Sequence, residues 1–494
     1  MECQRCPVTA KTLATVLSRK EKFCDECFIK FVSTKQRKQM MKDEFFRNLF
    51  KVVYPLEKEG SVGKILLPLS LSDSGSLVML DIVHDLLLEQ NKQHNNHTGF
   101  TVDILTISTE DNLPVIKEQM KLLIKEKMLE LNEISDIYKV HFIDINEFFN
   151  STSNVSNLII DDENFEIFAK SRSVGNEDKL SLKEILSEYC LNNSSRTDLT
   201  SIMKTQLIKH FAFENGNDAI LWGHSMTKLS EVIISLVVKG KGSQIATFLD
   251  SESFDTLDNK PCNYKNLYPM KDLLSVEIES FLQIKNMTKF LINVEETNSK
   301  PNCLVSKKPT SAINQQKLIK NMTINEITTK YFQDIQNDYS NIISTVLRTA
   351  DKLAEPKPST TKTSQCQICQ SKIYTNPSNW LDRITVTTPY PRETTEEEHL
   401  FKQWQDSKLG QSHTHYVELL NEIKRDSINS DDDSDNNDMQ LCYGCLILLN
   451  TSIKDKNLVW PRVNTMSSLV NPTSEDKELN DILDQFEITS DVEE

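Results

Sequence analysis

The chain has 494 residues and a formal net charge of −16, with 38% hydrophobic and 26% charged side chains. At roughly 150 residues per domain, this length predicts two or three domains with a sizeable apolar core. The acidic balance excludes a protein that is coated uniformly with basic side chains for nucleic acid. The sequence contains no apolar run of about eighteen residues and opens without the apolar core of a signal peptide. We therefore expect a soluble intracellular protein with no membrane partner.

The charges are distributed unevenly along the chain. Residues 1–64 carry 14 Lys and Arg against 8 Asp and Glu, whereas residues 471–494 carry one Lys against nine acidic residues. Residues 11–51 hold eleven Lys and Arg against five acidic residues. The N-terminal part of the chain is therefore basic although the chain as a whole is acidic.

Predicted strands and helices alternate through the first half of the chain. Residues 28–58 predict a basic helix in which phenylalanines pack into the core. Strands are predicted over 64–70, 101–108, 138–145 and 218–223, with helices over 76–90, 116–131 and 228–239. This alternation indicates parallel βαβ units, and so an α/β fold with a doubly wound parallel sheet.

The other segments are polar or of low complexity. Residues 145–197 are rich in Asn and Ser and are predicted to be an insertion rather than core, and residues 355–364 have the composition of a linker. Apolar residues at spacings of three and four predict one long helix from Ile324 to Val346. The acidic runs at 396–398 and 431–438 are predicted to be solvated, disordered loops.

These features divide the chain into five predicted regions. The sequence shows no internal repeat with the period of a solenoid protein. The regions are an N-terminal cysteine module with the basic helix (1–58), an α/β domain with a polar insertion near 145–197 (59–290), a helical extension (291–354), a C-terminal cysteine module with an acidic insert (355–470) and an acidic disordered tail (471–494).

Eight of the eleven cysteines fall into four C-x-x-C pairs. The first two pairs, Cys3/Cys6 and Cys24/Cys27, are separated by 17 residues, which fits the spacing of a four-cysteine zinc site. Two thiolates in such a turn can bind one ion, and a second turn completes a tetrahedral sulfur shell. Free surface thiols are the alternative, and a redox dithiol would need only one pair.

The last two pairs predict a second structural zinc site, at Cys366, Cys369, Cys442 and Cys445. The 72 residues between the pairs are mostly charged and of low complexity, so they can loop out at a small entropic cost. His413 and His415 lie in that loop as rival ligands or as exposed loop residues. A closed shell of four thiolates leaves no open coordination position, so both sites are predicted to stabilise structure rather than to catalyse a reaction.

A serine-rich turn follows the first predicted strand. It runs from Ser70 to Ser76 and includes Ser72, Ser74 and Gly75. A turn of this kind before a helix can bind phosphate, because its free backbone N–H groups and the helix dipole point at the anion. An ordinary polar turn with N-capping serines is the alternative interpretation of the same residues.

The order of these modules resembles the cytosolic tRNA 2-thiolation proteins, which belong to the PP-loop ATP-pyrophosphatase superfamily. Catalytic members of that family carry a turn of the form S-G-G-x-D-S between the first strand and its helix. In this chain Ser70 keeps the first position, Leu71 and Ser72 replace the two glycines, and Ser74 stands at the acidic position. Leu71 lacks the conformational freedom that glycine gives such a loop, which argues against ATP turnover by this chain.

Two further segments extend the resemblance. Residues 221–231 look like the family's T-G-H-N-x-D-D-x-A-E-T loop. Residues 268–277 look like its R-P-L-K segment. The matching residues are Gly223, His224, Glu231, Pro269 and Lys271, whereas Thr227 and Lys228 occupy the positions of the paired aspartates. The resemblance implies a degenerate nucleotide site made of Ser70, Ser72, Ser74, Gly75, Ser76, Gly223 and His224.

The catalytic relatives also use cysteines inside this domain, for sulfur transfer or for an iron–sulfur cluster. One of their pairs is C-x-x-C, whereas this chain has Cys190 and, three residues later, Asn193. Cys262 lies near the place of a further cysteine. The resemblance therefore leaves Cys190 and Cys262 as weak catalytic candidates and implies no iron–sulfur cluster in this chain.

With these departures from the catalytic motifs, the chain resembles the second, non-catalytic subunits of the 2-thiolation complex. The resemblance covers most of residues 1–290 and the terminal cysteine module. It implies a heterodimer with a catalytic sibling in the cytoplasm. The dimer would move sulfur from a thiocarboxylated ubiquitin-like carrier to C2 of the wobble uridine (mcm5s2U) in the tRNAs for Lys, Gln and Glu.

The basic N-terminal stretch is the predicted tRNA-binding surface. Contacts to an RNA backbone need clustered Lys and Arg side chains, and their strength falls steeply with salt. An ordinary solvated helix face is the alternative, although neighbouring zinc-bound turns would fix the helix rigidly for binding. The predicted contacts are Lys30, Lys35, Arg37, Lys38, Lys42 and Arg47.

Two other functions remain open from the sequence. One is a self-sufficient, ATP-dependent adenylating tRNA thiolase, which the glycine-poor turn and the missing aspartates disfavour. The other is a zinc-ribbon adaptor or a RING-like ubiquitin ligase. A RING interleaves its eight ligands within one compact stretch, whereas more than 330 residues separate the two cysteine sets here.

Overall fold

A computed structural model describes most of the chain. The described residues are 2–6, 12–52, 54, 62–128, 137–150, 155–163, 166–173, 185–187, 190–257, 260–292, 322–336, 339–356, 364–374, 394–415, 418, 441–452 and 457–461.

The strands of the described residues form four sheets. Their bounds are β1 (Val16–Ser18), β2 (Glu21–Phe23), β3 (Gly63–Pro68), β4 (Phe100–Ser108), β5 (Tyr138–Asp144), β6 (Val155–Glu163), β7 (Glu166–Ser173), β8 (Ala219–Leu221), β9 (Phe254–Leu257), β10 (Lys260–Leu267), β11 (Ser364–Gln365), β12 (Lys372–Ile373) and β13 (Asn457–Pro461).

The helices alternate with these strands in the first half of the chain and dominate after β10. Their bounds are α1 (Asp25–Met40), α2 (Glu44–Leu49), α3 (Ser74–Gln93), α4 (Leu113–Leu123), α5 (Glu147–Asn150), α6 (Asn193–Glu214), α7 (Met226–Val238), α8 (Ile245–Leu249), α9 (Ser275–Ile284), α10 (Ile324–Ile335), α11 (Ser340–Ala350), α12 (Thr395–Asp406) and α13 (Tyr443–Ser452). None of these helices in the described part of the chain is both long and apolar enough to cross a lipid bilayer.

The central sheet has six strands in the order β5-β4-β3-β8-β10-β9. Its first five strands are parallel, and β9 pairs antiparallel to β10. The sheet is therefore mixed, whereas the sequence predicted a purely parallel sheet. The chain builds outward from β3 in one direction and then continues from β8 in the other. The strand order therefore reverses between β3 and β8, which is where open α/β sheets form their binding crevice.

Helices cover both faces of the central sheet, which confirms the α/β class. Alternate residues of a strand point to opposite faces, and on β3 Ile65 and Leu67 enter one core whereas Leu66 enters another. The first core contains residues of α1, α3 and α9, and the second contains residues of α6 and α13. A third core joins α7 to α10 and α11.

The N-terminal module packs directly onto this α/β body. Phe28 and Val32 of α1 are buried in the same core as the sheet residues. The turn between β1 and β2 also bonds to α9. The guanidinium of Arg19 lies 2.8 Å from the buried carboxylate of Glu277, which accepts a further hydrogen bond of 2.6 Å from Ser18. These contacts orient the basic helix relative to the sheet.

The phenylalanines of the N-terminal helices are core residues, as predicted. Phe46 and Phe50 are buried, and Phe31 and Phe45 pack against the same core. The predicted single helix over 28–58 is instead two helices, because Asp43 caps the start of α2 by accepting a hydrogen bond from the N–H of Phe46.

Three predictions for the rest of the chain need correction. The ends of the polar segment 145–197 belong to the core, where Ile145 and Ile185 are buried, and its β6–β7 hairpin pairs with β13. The single helix predicted from Ile324 to Val346 is two helices, α10 and α11. The acidic run 396–398 lies in the first turn of α12 rather than in a loop.

Some predicted segments lie outside the described residues. These are the polar stretch 295–320, most of the linker 355–364, the acidic run 431–438 and the C-terminal tail 471–494.

Candidate functional site

The predicted phosphate loop lies at the point where the strand order reverses. Residues 70–73 join the end of β3 to the start of α3, and Gly223 follows the end of neighbouring β8. The structure therefore brings together the two loops that the sequence predicted for the degenerate nucleotide site. What these loops can bind depends on the space and the free donors between them.

Two glycines place the backbones of these loops in contact. A Cβ atom on Gly75 would lie 2.1 Å from the carbonyl oxygen of Gly223, and one on Gly223 would lie 2.6 Å from both N and Cα of Ser76. Neither position has room for a methyl group. The backbone of the β8 loop thus covers the first turn of α3, where a phosphate would otherwise approach.

The N-terminus of α3 is capped by its own chain. The carboxylate of Asp73 accepts a 3.0 Å hydrogen bond from the N–H of Ser76. The hydroxyl of Ser76 donates to the carbonyl of Ser70 at 2.8 Å and accepts from the N–H of Ser70 at 3.1 Å. The carboxylate therefore occupies a donor that a phosphate would need, and its charge would repel that phosphate.

Asp73 was not predicted from the sequence as a site residue. The family resemblance places Ser74 at the acidic position of the loop, whereas Ser74 is the first residue of α3 in the structure. The available signal was local, since an aspartate directly before a helical apolar pattern is a common N-cap.

Leu71, which stands at a glycine position of the resembling loop, is a core residue. Its side chain is 2% exposed and belongs to the first core, and its carbonyl accepts a 2.9 Å hydrogen bond from the N–H of Ile292. The loop is therefore held by packing and not by a ligand. Its remaining exposed polar groups are Ser70 and Ser72, whose hydroxyl oxygens lie 2.9 Å apart.

The segment after β8 is likewise used for packing. Thr227 is fully buried and accepts a hydrogen bond of 3.1 Å from the N–H of Ser275. The carboxylate of Glu231 accepts one of 2.8 Å from the hydroxyl of Thr329 on α10. The ammonium of Lys271 lies 3.5 Å from a carboxylate just after α11. The polar residues of these two segments are thus bound by α9, by α10 and by the residue that follows α11.

Three aromatic side chains lie close together in the segments that directly follow β8 and β10. The ring of His224 lies between Trp222 and Tyr268, with centroid distances of 5.8 and 5.9 Å. Burial, together with the nearby charge of Lys228, lowers the pKa of His224 to about 4. This imidazole is therefore neutral at pH 7 and cannot neutralise the charge of a phosphate.

The two cysteines considered for catalysis are buried. Cys190 and Cys262 are each 3% exposed and belong to the second core. Burial raises the pKa of the Cys190 thiol to about 11, so the reactive thiolate is scarce at pH 7. At the place where the resemblance implies a second thiol, Asn193 is the first residue of α6 and Asn192 is its N-cap. Neither cysteine has the setting of an accessible sulfur carrier.

The N-terminal cysteines form one cluster. The four Sγ atoms of Cys3, Cys6, Cys24 and Cys27 all lie within 4.8 Å of one another. Two of the separations, from Cys6 to Cys24 and to Cys27, are 3.6 Å. A tetrahedral ion with metal–sulfur bonds of about 2.3 Å holds its sulfurs roughly 3.8 Å apart, whereas a disulfide needs about 2.05 Å. The cluster therefore has the spacing of a metal site and not of a disulfide.

The C-terminal cysteines form a second cluster of the same kind. The Sγ atoms of its four residues also lie within 4.8 Å of one another, and Cys369 and Cys442 are 3.6 Å apart. The two pairs come together although α12 and the acidic insert separate them in sequence. His413 and His415 are exposed and are not members of this cluster. The cluster is composed of Cys366, Cys369, Cys442 and Cys445.

The predicted RNA-binding side chains differ in how they are used. Lys35 lies over the ring of Phe31 at 4.5 Å and donates to the carbonyl of Asp272 at 3.3 Å. Two others form ion pairs, Arg37 with Glu89 and Lys42 with Glu252. The remaining three are exposed on α1 and α2, at Lys30, Lys38 and Arg47. Lys42 is also exposed, so within the described part of the chain these three are the exposed contacts without an ion pair.

Comparison with known proteins gives one consistent family. A family model described as cytoplasmic tRNA 2-thiolation protein 2 matches residues 323–447, which include α10, α11 and the C-terminal cysteine cluster. A Saccharomyces cerevisiae (strain RM11-1a) protein with that name is 78% identical over 494 residues, covering 100% of both chains. A Kluyveromyces lactis protein with that name is 38% identical over 500 residues, covering 100% of this chain and 99% of its own.

A more distant relative and one solved structure complete the comparison. The Debaryomyces hansenii protein of the same name is 32% identical over 461 residues, covering 93% of this chain and 91% of its own. The U34-tRNA thiolase NcsA from Methanococcus maripaludis, solved with its 4Fe–4S cluster, shares 12% identity at a TM-score of 0.44, covering 75% of this chain and 96% of its own. From the full-length identities, this chain belongs to the cytoplasmic tRNA 2-thiolation protein 2 family.

Proposed function

We propose that this chain is the non-catalytic subunit of a cytoplasmic complex that 2-thiolates the wobble uridine of the tRNAs for Lys, Gln and Glu. Family membership supports the thiolation role, because relatives that match over the full length are named for it. The observation that carries the non-catalytic part is the contact between Gly75 and Gly223, where the carbonyl of one loop covers the helix turn of the other. A nucleotide has no phosphate cradle there.

The fold supports descent from a nucleotide-binding sheet. The parallel strands have the order β5-β4-β3-β8-β10, in which the two halves of the sheet run outward from the neighbouring central strands β3 and β8. Doubly wound nucleotide-binding sheets have this arrangement. We propose that residues 59–290 are a degenerate PP-loop domain, between the N-terminal module (1–58) and a helical extension (291–354). A C-terminal cysteine module (355–470) and an acidic tail (471–494) follow. Helix α7, which follows the β8 loop, packs against α10 and α11 of the helical extension.

The tRNA is proposed to contact the exposed face of α1 and α2. Lys30, Lys38 and Arg47 are exposed there, whereas the other predicted contacts mainly hold the helices in place. The bond between Arg19 and Glu277 fixes this face relative to the sheet. Phosphate groups are recognised by such a fixed set of cations without reading of the bases.

Two partners complete the proposed reaction. Since Asp73 caps the helix that follows the loop, and the two thiols considered for catalysis, Cys190 and Cys262, are buried, we propose that a catalytic sibling activates the uridine. The sulfur would come from a thiocarboxylated ubiquitin-like carrier. In the resulting heterodimer this chain supplies tRNA-binding surface and structural support rather than reacting groups.

Both cysteine clusters are proposed to bind structural zinc. The sulfur–sulfur distances of 3.6 Å fit a tetrahedral shell, and four thiolates are a donor set that zinc prefers. Each cluster joins sequence-distant segments, so the ion would supply folding free energy at that place.

Affinity purification of the full chain from cells tests this proposal. We expect recovery of a second chain that carries an intact S-G-G-x-D-S loop, of tRNAs for Lys, Gln and Glu, and of two zinc ions per chain. The matched control is the variant Cys24→Ser, which should retain the sibling but lose one zinc ion. A chain recovered alone, with no enrichment of these tRNAs, would contradict the proposed role.

A further inference from the structure

Lys241 is a buried lysine beside the C-terminal cysteine cluster. It is 6% exposed and follows Gly240, whose positive φ of 70° lies just after the end of α7. Its backbone N–H donates to the carbonyl of Leu236 at 2.8 Å, which fixes the position of the residue. A lysine is rarely buried to this extent unless its charge has a partner.

The stem of Lys241 runs along the turn between Cys442 and Cys445. A Cβ atom on Gly444 would lie 2.4 Å from Cγ of Lys241 and 2.9 Å from its Cε. At the same contact between the two segments, a Cβ atom on Gly240 would lie 2.7 Å from the ring of Tyr443. The two glycines therefore allow the α7 end and the cysteine turn to pack against each other, with the lysine stem between them.

The cysteine cluster is the group of opposite charge that lies beside Lys241. The lysine stem packs on Gly444, in the turn that carries the two ligands Cys442 and Cys445. Among the described residues no carboxylate lies within ion-pair distance of its ammonium, whereas neighbouring Lys239 pairs with a carboxylate of α6 at 2.6 Å. The cysteine cluster is thus the anionic group that lies next to this buried lysine.

A side-chain amide donates hydrogen bonds to two sulfurs of the cluster. The side-chain amide of Gln244 donates to Sγ of Cys442 at 3.4 Å and to Sγ of Cys369 at 3.8 Å. A divalent ion with four thiolates has a net charge of −2, and removal of that charge from water is costly. A buried cation and an amide donor each reduce this cost and hold the sulfurs in place.

The N-terminal cluster has a different environment. Cys3, Cys6 and Cys27 are only partly buried, whereas three of the four C-terminal cysteines are buried. A cation near it, Arg5, is exposed and pairs with Glu21 at 2.7 Å. A neutral hydroxyl, that of Thr12, lies 2.7 Å from Sγ of Cys6. The described part of this module therefore shows no buried cation packed on its sulfurs.

We propose that Lys241 is the counter-cation of the C-terminal cysteine cluster and, with Gln244, makes it the slower of the two metal sites to release its ion. This inference rests on the proposed zinc occupancy of both clusters. Lys241 acts here as a positioning residue, because it packs on the turn that carries two of the sulfur ligands and contacts no substrate.

Zinc release from the full chain to a chromogenic chelator tests the proposal. We expect two phases of one ion each. The variant Cys24→Ser should remove the fast phase, which assigns the slow phase to the C-terminal cluster. Lys241→Met keeps most of the stem and removes the charge, and it should accelerate the slow phase by about tenfold or more. Lys228→Met, at an exposed lysine of the same helix region, should leave both phases unchanged.

Two results would overturn the proposal in distinguishable ways. Zinc release from Lys241→Met at the wild-type rate, with two ions bound and an unchanged far-UV circular dichroism spectrum, would exclude the role of Lys241 while the zinc sites stand. Absence of zinc from the C-terminal cluster of the wild-type chain would remove the zinc assignment itself and this inference with it. If Lys241→Met does not fold, Gln244→Leu decides in its place: faster slow-phase release supports the proposal, and an unchanged rate overturns it.

Discussion

Gly75 and Gly223 bring the β3–α3 loop and the loop after β8 into backbone contact, with 2.1 Å between the carbonyl oxygen of Gly223 and the place of a Cβ on Gly75. The contact lies where the strand order reverses, between β3 and β8. Beside it, the Asp73 carboxylate accepts a hydrogen bond from the N–H of Ser76 in the first turn of α3. The protein's own groups therefore cover the place where a phosphate would approach the helix N-terminus.

The purified full chain is expected not to bind ATP. The first-turn donor of α3 is already used by Asp73, and the Gly223 carbonyl would face the phosphates. Isothermal titration with ATP and Mg²⁺ should give no saturable heat up to millimolar nucleotide, under conditions where a relative with an intact S-G-G-x-D-S loop binds. Saturable binding in the micromolar range would instead favour a self-sufficient thiolase.

Gly223→Ala is expected to destabilise the chain by about 1–3 kcal/mol, because the new methyl group would overlap the backbone of Ser76. Gly242→Ala is the matched control, since a Cβ there meets no atom within 4 Å, and its effect should stay within about 0.5 kcal/mol. Urea unfolding followed by circular dichroism measures both. Equal stability of the two variants would show that the loops are not in contact.

Cys24→Ser is expected to release one zinc ion and to unfold the N-terminal module, because metal binding and folding are coupled in such small modules. Cys190→Ser is the control, since Cys190 lies in an apolar core and belongs to neither cluster, and it should retain both ions. Elemental analysis gives the zinc content, and proteolysis reports the unfolded module. Full zinc retention in Cys24→Ser would contradict the four-cysteine assignment.

Charge reversal at Lys38 and Arg47 is expected to weaken tRNA binding and to make it less sensitive to salt, by about one unit of slope for each phosphate that is no longer neutralised. The same change at Lys408, an exposed lysine that follows α12, should have no effect. Filter binding of tRNA to the full chain at several salt concentrations measures both. Unchanged affinity in the Lys38 and Arg47 variants would place the tRNA surface elsewhere.

Local patterns were sufficient for much of the fold. The strands β3, β4 and β5 were predicted within two residues, because buried parallel strands are short apolar runs bounded by polar turns. The cysteine clusters were also predicted in full, since thiolates that share an ion need a fixed spacing within each pair. These features are encoded in stretches of fewer than about ten residues.

Long-range packing accounts for what the sequence did not reveal. The apolar pattern from Ile324 to Val346 continues through the break between α10 and α11, because Phe332 and Ile343 both bury in the core that contains Leu229 of α7. The strand β13 pairs with the sequence-distant β6, and no local signal reports that pairing. The helix at the acidic run was encoded locally, since a capping box of Thr394 and Glu397 marks its start.

Wobble 2-thiouridine in cells that lack this chain is the most direct test of its role in thiolation, measured by mass spectrometry of digested tRNAs for Lys, Gln and Glu. We expect 2-thiouridine to be lost in these cells. The wild-type chain and the variant Ser70→Ala should both restore it, because we propose that the Ser70 turn does not bind ATP. Failure of Ser70→Ala at a normal protein level would contradict the non-catalytic assignment, and normal 2-thiouridine in cells without the chain would contradict the thiolation role itself.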